Sequence, residues 1–120
     1  MTNQEELTQY REQLEGAIRL KDLILKLERS PAYREVVVKG FCTDECARYV
    51  EGSVNPALDE ASRKLALQCA QAAGCFRNWI AAQKRMGMHA ESQLRELDEE
   101  MRAAEDAQEA EEIETQQGTN

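Results

Sequence analysis

Apolar residues recur along this chain at the three- and four-residue steps of amphipathic helices. Between Gln4 and Glu28, Leu7, Tyr10, Leu14 and Ala17 are spaced by 3, 4 and 3, and Leu20, Leu23, Ile24 and Leu27 carry the stripe onward. That spacing predicts one helix with a single apolar face. Ser30-Pro31 then signals a new start, a capping side chain followed by proline in the first turn. The segment "PAYREVVVKG" reads as a short helix closed by Gly40, and "FCTDECARYVEG" as a second one, capped by Thr43 and ended near Gly52-Ser53. Val36-Val37-Val38 is the one strand-like run. It has no second strand to pair with, and a lone strand is not stable.

Asn55-Pro56 is the third start signal, and no strong breaker follows until "TQQGTN". Leu65, Cys69, Ala72, Phe76, Trp79, Gln83, Met86 and Ala90 step by 4 and 3, and Leu94, Leu97, Met101 and Ala104 continue the pattern after one additional step of four. This predicts a heptad seam with a stutter between Met86 and Leu94. A helix from there to Ile113 would hold about 55 residues and run roughly 80 Å at 1.5 Å per residue. It cannot cover its own seam. The expected architecture is all-α: a long C-terminal helix, with an N-terminal helix and two short helices packed on it as a helical hairpin, in an oligomer. Residues 1–104 form the expected helical domain and residues 105–120 an acidic, fraying tail. The expected interface is Leu65, Phe76, Trp79, Ile80, Met86, Ala90, Leu94, Leu97 and Met101.

Composition narrows the functions open to such a fold. The 120 residues carry a net charge of −8. Glu96 to Glu114 alone holds ten acidic residues and one Arg, a local −9, which leaves about +1 for the remainder. The chain is a near-neutral body with an acidic end. Phosphate repels such an end, so direct nucleic-acid binding is not expected, whereas a basic partner surface suits it. No window is apolar over 18 residues, and the N-terminus has no basic start or apolar core, so neither a membrane span nor a signal peptide is expected. A cytoplasmic setting follows, where thiols stay reduced.

No constellation points to catalysis or a cofactor. Cys42, Cys46, Cys69 and Cys75 are spaced C-x3-C and C-x5-C, not as the paired C-x2-C knuckles of a zinc site. They read as small core residues rather than metal ligands. His89, the only histidine, has no nucleophile within helical reach. Gly87, between Met86 and Met88, reads either as a point of close helix approach or as a tolerated glycine. Arg63, Lys64, Arg77, Lys84 and Arg85 form a scattered basic set on the long helix.

Three stretches, in order, resemble small helical proteins encoded by tailed bacteriophages: "LILKLERSPAYREVVVKGF" (Leu23 to Phe41), "DECARYV" (Asp44 to Val50) and "CFRNWIAAQKRMGMHAESQLRELDEEMR" (Cys75 to Arg102). The chain departs from that pattern at Cys42 and Cys46, where aromatic and Ala types are usual, at Ser30, which replaces Asn or Asp, and at His89. The resemblance implies a helical-hairpin protein of the virion or its assembly, found in the host cytoplasm during assembly and then in the particle. Its partners would be further copies of itself or another virion protein. The rival expectation is a small acidic regulatory protein that binds and inhibits a basic host factor.

Overall fold

The computed structural model describes residues 2–118. Among them every regular element is a helix, in the order α1 (Asn3–Glu28), α2 (Pro31–Tyr33), a π-helical segment (Arg34–Glu45), α3 (Cys46–Ser53) and α4 (Glu60–Gly118). The molecule is a rod of 95 × 33 × 16 Å. α1 and the α2–π–α3 arm lie end to end along α4, both antiparallel to it. The register is set by Arg11 opposite Asp98 and Glu28 opposite Lys84 in the first arm, and by Cys46 opposite Ala70 in the second. The all-α helical hairpin expected from the sequence is the observed architecture.

Local chemistry starts each helix. Thr2 and Glu5 form a capping box on α1: each side chain accepts a hydrogen bond from the other's amide, at 3.2 and 3.1 Å. Ser30 accepts from the Tyr33 amide, with Pro31 in the first turn. The two short helices expected on either side of Gly40 are joined. No glycine among the described residues takes a positive φ, so Gly40 does not terminate anything. Helical winding runs from Pro31 through Ser53, with the wider π turn in its middle: the Cys46 amide reaches the Phe41 carbonyl five residues back. Thr43, expected as a cap, instead donates its hydroxyl to Val38 O at 2.9 Å.

The start of α4 also differs from expectation. Asn55 does accept from the Ala57 amide at 2.9 Å, but the Leu58 amide then returns to Asn55 O and closes a turn. The working cap lies four residues on: Asp59 Oδ1 accepts from the Ser62 amide at 2.7 Å, and Asp59 O accepts from Arg63 N. The sequence holds two capping residues four apart, and only the second has no proline turn after it.

The bonds from Ser62, side chain first and then backbone, hold the Asp59 carboxyl below the usual carboxylate range. A carboxyl depressed on folding stabilises the fold fully above its unfolded value, about 3.9. That contribution is lost as pH falls through the folded value. Asp59→Ala is therefore expected to lower the melting temperature at neutral pH and to shrink its deficit against the parent chain as pH drops below that window. Thermal unfolding followed by circular dichroism across pH checks this; a deficit that grows on acidification contradicts it.

Candidate functional site

α4 faces the two arms along one line. Ala66, Ala73, Ile80, Gly87 and Leu94 recur every seven residues, and Ala70, Ala90 and Leu97 flank them. Ala73 is fully buried, and Ile80, Gly87 and Ala90 are buried with it. The line is built mainly of small residues, so backbones approach closely. A Cβ on Gly87 would lie 2.9 Å from Ala17 O and from Lys21 Cγ, and nearer still to Lys21 Cβ. At the other end, a Cβ on Gly52 of α3 would meet Ala66 Cβ at 3.3 Å. Of the two readings of Gly87, close approach is the one realised.

α1 presents a matching line of Leu14, Ala17, Lys21, Ile24 and Glu28, at steps of 3, 4, 3 and 4. Leu14, Lys21 and Ile24 are buried. Lys21 lies across Gly87 and pairs with Glu91, whose Oε1 is shut away from solvent, and with Asp22 at 3.1 Å. Arg11 donates to Asp98 at 2.5 Å, and that bond is the main reason its guanidinium is held above its ordinary value. Lys84 donates to both Glu28 oxygens at 3.1 Å. The first two pairs put the cation on α1 and the third puts it on α4. A slipped or reversed α1 would set like charges together, so the three pairs fix the register as well as the orientation.

This packing splits the nine residues expected at the interface. Ile80 and Ala90 are buried inside the hairpin, and Phe76, Leu94 and Leu97 are partly buried there. These five pack, fully or in part, within the fold of a single chain. Leu65, Trp79 and Met86 remain 61%, 49% and 56% exposed. Met101 is exposed at the rim of α1, where its sulfur accepts from Arg11 at 3.6 Å. The stutter disappears as well. The covered heptad line runs unbroken through Gly87, one residue over from the line of Leu65, Ala72, Trp79 and Met86. Side-chain size points to the uncovered line, because Ala66, Ala73 and Gly87 on the covered one are small.

The uncovered line is the candidate site. Leu65, Ala72, Trp79 and Met86 form a stripe with Cys75, Ala82 and His89 beside it, and α1 and α3 leave it to solvent. It is also poor in charge. From Leu65 to Gln83, nineteen residues, Arg77 is the one charged side chain. At the chain's average of 32% charged, about six would stand there. A helix with one face covered and the rest in water usually carries charge on the rest, and this stretch carries little. Beyond His89 the stripe turns polar, through Gln93, Glu96 and Glu100. From Met101 to Gly118 α4 continues as helix, with every side chain exposed and the acidic run along it.

Among the described residues, the other hollows carry less that points to a site. The hollow between the π-helical segment and α4, lined by Tyr33, Val38, Cys42, Phe76, Ile80 and Lys84, measures about 240 Å³. Ligand pockets usually start near 300 Å³. Loss of hydration, and next the Glu28 carboxylate, push the Tyr33 phenol above its ordinary range, away from base chemistry at neutral pH. A larger open groove beside Leu23 and Leu94 is rimmed by Glu15, Arg19, Asp22 and Lys26. The cysteines are unpaired: Cys42 is buried, Cys46 and Cys69 partly so, and Cys75 exposed. Among the described residues no three His, Cys, Asp or Glu side chains converge as a metal site, and no helix is long and apolar enough to cross a membrane. Set against protein-family models, curated proteins and solved structures, the chain matches none of them.

Proposed function

We propose that this chain is a non-enzymatic structural or assembly protein of a tailed bacteriophage, working through helix–helix packing with further copies of itself or with another virion protein. The observation that carries the reading is the second apolar, charge-poor face of α4, which the hairpin leaves uncovered. A rod whose chemistry is spread along helix faces suits a part that is built into something larger. Its surface agrees: the chain exposes 9397 Å², against about 6,600 Å² for a compact monomer of its 13.6 kDa mass. In this reading the protein is made in the host cytoplasm and ends in the particle.

The fully exposed acidic end of α4 favours one second reading, a regulatory protein that holds a basic host factor. The two readings separate on one chain truncated after Ala104. For an assembly protein, mass spectrometry of purified particles finds the full-length chain at fixed copy number, and the truncated chain enters them too, because residues 105–118 cover none of the apolar stripe. Absence of the full-length chain from particles, together with loss of host-factor binding on truncation, would establish the inhibitor instead.

A further inference from the structure

Resting on that assembly reading, we infer that the occupant of the uncovered α4 stripe is a second copy of this chain, crossing antiparallel about a two-fold axis beside Cys75. The stripe is complementary to itself in that direction alone. Its four central positions are Leu65, Ala72, Trp79 and Met86, and their midpoint falls between Cys75 and Phe76. Turned about that point, Ala72 faces the partner's Trp79 and Leu65 faces the partner's Met86. The small Ala72 meets the large Trp79 and Leu65 meets a Met of similar size, each twice over, which is the form an isologous interface takes. In the parallel arrangement Trp79 would meet the partner's Trp79 and Ala72 the partner's Ala72, giving one crowded layer and one empty one.

Charge selects the same direction. The parallel pair would run two acidic ends, each of local charge −9 from Glu96 to Glu114, side by side. The antiparallel pair sends them to opposite ends of the assembly, far beyond the screening length of about 8 Å. Between Lys64 and Lys84, the span that holds the centre of the crossing, Arg77 is the one charged side chain.

The two-fold axis places the exposed Cys75 thiols of both copies within about one helical turn of each other, and that is the test. Sedimentation of the full chain should give a dimer, and a short bis-maleimide should convert it to a covalent dimer. Cys75→Ser should abolish the crosslink and keep the dimeric mass. In that background Leu65→Cys alone should not crosslink, since the two copies of position 65 lie about 31 Å apart at 1.5 Å per residue. Adding Met86→Cys should restore the crosslink. A monomer in solution, a crosslink that survives Cys75→Ser undiminished, or a crosslink from Leu65→Cys alone each overturns the inference. A monomer that still enters particles defeats the self-pairing and leaves the assembly reading standing. A dimer absent from particles does the reverse.

Discussion

Gly87→Ala is expected to destabilise the hairpin by about 1–3 kcal/mol, the usual cost of forcing a methyl into a packed contact. The expectation runs against helix propensity, which favours alanine over glycine by about 1 kcal/mol in a helix interior. Packing wins because the added Cβ has nowhere to go. Two of its neighbours, Ala17 O at 2.9 Å and Lys21 Cβ, belong to or adjoin the α1 backbone, so relief requires α1 to move as a body. That movement would also part Lys21 from Glu91 and leave a shielded carboxylate oxygen without its counter-charge. Gly87→Leu should open the α1–α4 contact altogether. Gly16→Ala is the control, because nothing lies within 4 Å of its added Cβ; there propensity acts alone and stability rises by about 0.5–1 kcal/mol. Denaturant unfolding measures all three, and a Gly87→Ala chain as stable as its parent removes the close-approach account.

The contrast between those two glycines shows where sequence reasoning reached and where it stopped. Helix class and the hairpin were legible because capping residues and leucine periodicity are local signals: Ser30-Pro31 starts a helix from its own side chains. The covered face was not legible, because it depends on what lies opposite. Lys21 sits in a heptad core position that hydrophobicity alone rejects, and it becomes a core residue only when Glu91 is across from it. Ala66, Ala73 and Gly87 carry little apolar area, yet they decide the contact, since two helices meet most closely where both are small. Large residues mark where apolar surface is, not which partner takes it. Leu65, Trp79 and Met86 are accordingly uncovered apolar surface, while Ile80 and Ala90 from the same predicted seam are occupied within the chain.

That division gives Trp79 the largest expected effect on association and a small one on folding. Trp79→Glu puts a charge at the centre of the uncovered stripe, opposite Ala72 of the partner in the antiparallel pairing. A central tryptophan in an interface contributes about 2–4 kcal/mol, and the two-fold axis brings it in twice. A loss of 3 kcal/mol or more weakens dissociation constants by roughly a hundredfold or beyond. The hairpin should survive, because the line holding α1 and α3 to α4 runs through Ala73, Ile80 and Gly87 and does not include Trp79. Sedimentation should therefore show smaller species, while far-ultraviolet circular dichroism at equal concentration keeps its helical signal. Ile80→Glu should do the opposite, losing the helical signal itself, since it buries a charge in the covered line without a partner. If both variants lose helix together, the chain has one core and no second face; if Trp79→Glu leaves the association state unchanged, the stripe is not what holds copies together.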